Sequence, residues 1–324
     1  MRRRQILILQ GASALGLSPA VQAQGYPARE VLIVVPNEPG GGLDLVARLL
    51  ARGLTAALGQ TVNVVNRSGA SGNVGTASVA RAEPDGHTLL LSGVGHVVSP
   101  LLHDKPGYDA LKDFVPLAKI ATAPNVLLVH DSLKGFGLAQ LLADPRSRNR
   151  GLAFASAGFG HSSHLAAEVF MGRTGARWLH VPYRGTAPAS RALLGGEVQL
   201  MFVPAGSVQP LLASGNAHAV AVAHSQRLTT LPQTPTFAEL GVAGAEFAQW
   251  YGLFAPAGTP DTAGDLLHRA TQAYLAEPAV QRQLQAQGLE PETLSRAGFA
   301  AFVAEEADRL KAVVRRQRVE EASR

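Results

Sequence analysis

The chain has 324 residues, of which 46% are apolar and 16% charged, with 34 Gly, 20 Pro and no Cys. That length supplies one large or two medium domains with a sizeable core, and the apolar fraction argues against intrinsic disorder. The missing thiols exclude disulfides, thiolate metal sites and cysteine nucleophiles.

The formal charge of +5 is concentrated at the start of the chain, where Arg2, Arg3 and Arg4 precede an uncharged run to Gln24. A basic start, a short apolar stretch (ILIL at 6–9) and the small-residue exit Val21-Gln22-Ala23 predict an export signal over residues 1–23. The Arg pair hints at the twin-arginine route. The alternative is a retained anchor, but the stretch falls short of the ~20 apolar residues that span a bilayer. Cleavage after Ala23 leaves 301 residues with a charge of +2. No basic patch interleaved with aromatics remains, which argues against a nucleic-acid partner. The expected mature protein is soluble and periplasmic.

Val31–Val35 is a continuous β-branched run, the pattern of a strand buried on both faces. Pro36-Asn37-Glu38-Pro39-Gly40-Gly41-Gly42 breaks it. A helical period follows through Leu43, Val46, Ala47, Leu50, Leu54 and Leu58, and Gly59 stops it. Val62–Val65 and Thr88–Ser92 read as strands, with a short helix at Val74–Ala82 between them. Further strands are predicted at Val126–Val129, Leu152–Ser156, Trp178–Val181, Val198–Val203, Ala219–Ala223 and Trp250–Phe254. Helices fall near 136–143, 163–171, 187–194, 207–213 and 261–276. Thr229–Gly244, rich in Pro, Thr and Gly, reads as a long connector. From about Ala297 to Arg318 the chain reads as an amphipathic surface helix, with Glu305 and Glu306 ahead of Lys311, Arg315 and Arg316. Strand–helix alternation of this kind predicts an α/β fold with right-handed crossovers. Crossings near 120–125 and 225–250 divide it into two lobes.

Three strand-to-helix junctions contain glycine: Pro36–Gly42, Ala157–His164 and Tyr183-Arg184-Gly185-Thr186. In a parallel sheet, ligands bind beyond the carboxyl ends of the strands. Glycine lets backbone approach a ligand, and free N–H groups at a helix start favour an anion. Each junction alone also fits a plain tight turn, but together they predict a cleft for a small anion. Gly160-His161-Ser162-Ser163-His164 begins like a nucleophile elbow, yet the elbow needs a small residue where His164 stands. His161, His164 and Glu168 share metal-ligand spacing without an evident third strong ligand.

These residues resemble the extracytoplasmic receptors of tripartite tricarboxylate transporters, the Bug proteins. The resemblance runs through Val35-Pro36, Pro39-Gly40-Gly41-Gly42-Leu43-Asp44, Gly72-Asn73-Val74-Gly75 and Ala82-Glu83-Pro84-Asp85-Gly86-His87-Thr88-Leu89. It continues through Ala155-Ser156-Ala157-Gly158, His180-Val181-Pro182-Tyr183-Arg184-Gly185, Pro235-Thr236-Phe237-Ala238-Glu239 and Ala255-Pro256-Ala257-Gly258-Thr259-Pro260. The resemblance implies a type II periplasmic binding protein, a two-lobed α/β flytrap with a ligand cleft between the lobes. Its expected divisions are the signal at 1–23, lobe 1 at 24–123, lobe 2 at 124–240, and a return at 241–324 that completes lobe 1. It implies a carboxylate held by main chain near Gly40, Gly41 and Gly42 and by Asp44, Ser156 and His164. Capping of the following helix is the alternative role for Asp44.

Departures from the family pattern bear on the ligand. Asn37 stands where an aromatic residue is usual, Glu38 where Ala or Pro is, and Leu43 where Thr is common. Phe159 and His161 replace small polar residues, and Val203 replaces an Asp that holds an amino group in amino-acid-binding members. With Tyr183, Gly185 and Thr186 of the third junction, these complete the candidate ligand-binding set. The expected ligand is a monocarboxylate, aromatic or hydroxylated, rather than a tricarboxylate. No cofactor, metal or catalysis is expected. The expected partners are a small organic carboxylate and membrane transporter subunits, with the receptor a monomer. The alternatives are a receptor serving a sensory pathway and a secreted hydrolase using Ser162.

Overall fold

The computed structural model describes residues 25–183 and 185–322, with side chains through Val314. The expected signal segment at 1–23 and Arg184 lie outside the described residues. Among the described residues no helix is long and apolar enough to cross a membrane.

The first half opens as expected: β1 (Val31–Val35), α1 (Gly42–Leu58), β2 (Val62–Asn66), α2 (Asn73–Ala80) and β3 (Thr88–Gly93). β1 lies between β2 and β3, parallel to both. The periodic apolar side of α1 buries Val46, Ala47, Leu50 and Leu54. Gly59 ends it in the left-handed region at φ +66° and donates its N–H to the Thr55 carbonyl at 3.1 Å. Then comes α3 (Val94–Leu102), which the sequence reading missed.

β4 (Phe114–His130) is 17 residues long, where only Val126–Val129 was anticipated. Its first part pairs antiparallel with β9 (Ala248–Pro256), from Phe114–Pro256 to Pro124–Ala248. Its second part pairs antiparallel with β7 (Leu200–Pro204) and β8 (Ala217–Val222). One strand therefore belongs to both halves. The second half also contains α4 (Leu138–Ala143), β5 (Ala153–Ser156), α5 (Ser162–Thr174), β6 (Leu179–Pro182), α6 (Thr186–Leu194) and α7 (Val208–Ala213). The 229–244 connector is irregular apart from one Val222–Thr236 bridge. After β9 come α8 (Asp261–Leu275), α9 (Pro278–Ala286), β10 (Glu290–Pro291) and α10 (Arg296–Ala322). The sequence reading missed α9.

The strands run β2-β1-β3-β9-β4-β7-β5-β6, with β10 and β8 also paired to β4. Side chains alternate across the strands, so each half has a core on both faces of its sheet. One core joins Ile33, Val35, Leu89 and Tyr251 to Leu50 of α1 and Leu267 of α8. A second joins Val126 and Met201 to Leu193 of α6 and Val208 of α7. The third runs through both halves and joins Val34, Leu90, Trp250 and Phe254 to Phe299 of α10 and Phe170 of α5. Val203, expected in the cleft, is fully buried in the second of these cores, opposite Val126.

The start of α3 shows how closely the crossing strands pack. A Cβ on Gly93 would meet the Trp250 carbonyl at 2.2 Å, whereas one on Gly95 meets nothing within 4 Å. Gly93→Ala is expected to destabilise by about 1–3 kcal/mol, because backbone must move. Gly95→Ala is expected to be neutral or stabilising by up to about 1 kcal/mol. Thermal melts of the two variants check this contrast.

Candidate functional site

Strand direction builds the site. β4 runs from the first half into the second, and β9 and β7 are antiparallel to it. β3 is antiparallel to β9, and β1 and β2 follow β3. β5 and β6 follow β7. The carboxyl ends of the parallel strands in each half therefore point toward the other half. The three glycine-containing junctions lie at those ends, as a binding cleft requires.

At the first junction Gly40 adopts φ +85°, and Gly41 is the N-cap of α1 with no side-chain cap. The N–H groups of Gly41, Gly42 and Leu43 donate to no described residue. Such a helix start attracts anions. Asp44 is 5% exposed, and its Oδ2 accepts from the Gly40 N–H at 3.0 Å and from Arg48 Nε at 2.9 Å. Arg48 Nη2 lies 2.9 Å from Asp44 Oδ1. The Arg48 hydrogen bond holds the Asp44 carboxyl below the usual carboxylate range. Asp44 therefore caps no N–H of α1: it holds the Gly40 N–H ahead of the helix, and Arg48 offsets its charge beside the helix start.

Asn37 and Glu38 are exposed. The Asn37 carbonyl accepts from Asn66 Nδ2 at 3.1 Å, and Glu38 Oε1 accepts from Ser68 Oγ. Gly42 stands against Tyr251 of β9: a Cβ there would lie 2.5 Å from Tyr251 Oη. Tyr251 is 5% exposed, its hydroxyl bonds to no described residue, and burial holds its pKa up. Sequence reasoning missed Tyr251 because it sits inside the apolar run Trp250–Phe254. The glycine opposite it was the available signal.

At the second junction the chain's own side chains occupy much of the backbone. Ser163 Oγ takes the Ala157 N–H at 3.0 Å, Ser156 Oγ the Gly158 N–H at 3.1 Å, and His164 Nδ1 the Gly160 N–H at 3.2 Å. Ser156 Oγ lies 2.6 Å from His180 Nε2. His164 and His180 stack at 4.1 Å, and Phe159 meets both edge-on at 5.5 and 4.9 Å. Phe159 nonetheless remains 54% exposed. His161 is the N-cap of α5, accepting at Nδ1 from the Ser163 N–H. Ser162 Oγ is buried and meets no base among the described residues. His164 Nε2 lies 3.6 Å from Glu168 Oε1.

At the third junction Gly185, at φ +110°, caps α6 and donates to the Ala157 carbonyl at 3.2 Å. That bond ties the second and third junctions together and places Thr186 at the start of α6. Tyr183 leans away, packing on the core of the second half with its hydroxyl 3.3 Å from Glu197 Oε2.

Burial, with a smaller contribution from His164, pushes the His161 imidazole down to about 4. An unfolded His titrates near 6.5. Between these values the unfolded chain binds a proton that the folded chain refuses, so stability falls as pH drops from about 6.5 toward about 4. Buried His96, also near 4, adds to the same loss. His161→Asn keeps a cap oxygen, so its melting temperature is expected to fall less than the unmodified chain's between pH 7 and 4.5.

The fold agrees with comparison to known proteins. Protein BugT of Bordetella pertussis is 38% identical over 302 residues, covering 93% of each chain. A solved Rhodopseudomonas palustris protein, Rpa4515 with adipate, superposes with a TM-score of 0.81 at 35% identity, covering 90% of this chain and 97% of that one. MatC of the same organism, with bound malate, gives 0.78 at 33% identity over 89% of this chain and 100% of that one. Residues 46–319 match the model of the tripartite tricarboxylate transporter family receptor. The chain is a two-lobed α/β protein of that receptor family.

Proposed function

We propose that this chain is a periplasmic solute receptor that captures a small organic carboxylate for a tripartite tricarboxylate-type transporter. The observation that carries the reading is the uncapped start of α1, where three backbone N–H groups and the Tyr251 hydroxyl lack partners among the described residues. A carboxylate there would accept from these donors. Lobe 1 then comprises about 24–123 with 241–324, and lobe 2 about 124–240. An exported chain of this kind needs the signal proposed for residues 1–23.

Three or four charge-assisted hydrogen bonds supply ~1.5–3 kcal/mol each. Micromolar affinity requires about 8 kcal/mol after the cost of association, so apolar contact must contribute. Phe159, exposed beside the second junction, offers an aromatic face. Glu38, exposed beside the first, disfavours a second carboxylate nearby. Both support an aromatic or hydroxylated monocarboxylate. The adipate and malate in the two solved relatives favour a dicarboxylate as the second reading.

A thermal-shift screen separates them, since a ligand that binds only the folded chain raises its melting temperature. Phenylacetate and mandelate are expected to raise it more than adipate, malate and citrate at equal concentration. A larger shift with any of the latter three overturns the monocarboxylate reading. Tyr251→Phe is expected to weaken the best ligand by about 10–100-fold, the worth of one hydrogen bond to a charge. The melting temperature of the unliganded variant should stay unchanged, because no described residue loses a partner.

A further inference from the structure

Trp250 and Tyr251 are neighbours on β9, so their side chains leave opposite faces of the sheet. Tyr251 faces the start of α1. Trp250 lines a cavity of about 770 Å³ on the α10 face, away from the three glycine junctions. One wall comes from α10 and β4, the other from the far end of α5 and the segment Gly244–Phe247. The space is large enough for a small-molecule ligand.

Val169, Ala312 and Val313 give it apolar lining, with the buried Phe247 and Trp250 beneath and Lys119 covering the Phe302 ring. Its charges fall into two groups. Lys119 pairs with Glu292 at 2.9 Å and Arg309 with Glu306 at 2.7 Å, so these four cancel within the wall. Glu246 and Arg173 are different: neither makes an ion pair among the described residues. Arg173 uses only Nε, donating to the Gly244 carbonyl at 3.0 Å. Trp250 Nε1 is a buried donor without an acceptor among the described residues. One unpaired acid, one unpaired base and an apolar lining suit a ligand carrying both charges on an apolar body.

We propose that this cavity is a second ligand site, distinct from the carboxylate cleft, for a small zwitterion with an aromatic or aliphatic body. Its ammonium group is held by Glu246, its carboxylate by Arg173, and its body by the apolar lining of Val169, Ala312 and Val313. Because the walls come from both lobes, occupancy and lobe movement are linked, and each biases the other.

The test uses the chain's two tryptophans. Trp178 is buried in the second half with its Nε1 donating to Ser147 Oγ. In Trp178→Phe, therefore, Trp250 alone emits. L-phenylalanine is the probe, with 3-phenylpropionate and 2-phenylethylamine as analogues that each keep one charge. L-phenylalanine is expected to change Trp250 emission and to bind about tenfold tighter than either analogue, the factor that 1.4 kcal/mol gives. Glu246→Gln and Arg173→Gln are each expected to weaken it similarly while leaving adipate-induced and phenylacetate-induced melting shifts as they were. Calorimetry on the chain with both tryptophans should give the same order, which guards against loss of folding in Trp178→Phe. No heat or emission change with L-phenylalanine, equal binding of a one-charge analogue, or indifference to both substitutions overturns the proposal.

Discussion

The fold turns on a few backbone hydrogen bonds around Asn125, a fully buried residue in the middle of β4. Its N–H and its Nδ2 both reach the Phe247 carbonyl, at 3.4 and 3.1 Å. Its own carbonyl accepts from Ala223 at 2.8 Å, and the Phe247 N–H closes the set on the Ala223 carbonyl at 3.0 Å. Three chain segments meet where one half ends and the other begins. Because β4 passes through that point as one continuous strand, its direction fixes the direction of every other strand. The parallel strands of both halves are thereby aimed at each other, and the loops at their carboxyl ends are brought together. A hinge built of continuous strand can bend while its ladder bonds persist, which is what closing on a ligand requires.

Electrostatics at the first junction follow from the same placement. The helix start offers unpaired N–H groups, and a carboxylate of the chain itself, Asp44, lies only two residues inside it. Asp44 does not occupy that start because Arg48 and the Gly40 N–H hold it to one side. The second junction is built differently: Ser156, Ser163 and His164 satisfy its backbone, which stiffens the loop. One lobe therefore presents open donors and the other a preformed wall with Phe159 on it. In the function proposed above, lobe closure would bring that wall to the donors.

Most of the parallel strands and the long helices were legible because their patterns are local. β1 matches its apolar run residue for residue, and α1 its 3.6-residue period. The first part of β4 was hidden by Pro116, Lys119 and Pro124, which interrupt the apolar run. Lys119 is buried there because Glu292 and the face of Phe302 receive its charge. Nothing local announces those partners, which lie more than 170 residues away. α3 was missed because its buried positions include the polar His96 and Ser99 and because Pro100 stands inside it. In the site, the glycine junctions were readable from composition, while Tyr251 and the packing of Tyr183 depend on tertiary contacts. Val203 followed a family position, whereas its alternation within β7 and its pairing with Val126 place it in a core.

The central claim is that a carboxylate is held by both lobes at once and so favours the closed form. Small-angle X-ray scattering tests it most directly, on the chain alone and saturated with the carboxylate giving the largest melting shift. The account predicts a smaller radius of gyration in the saturated sample. Equal radii at verified saturation would contradict it.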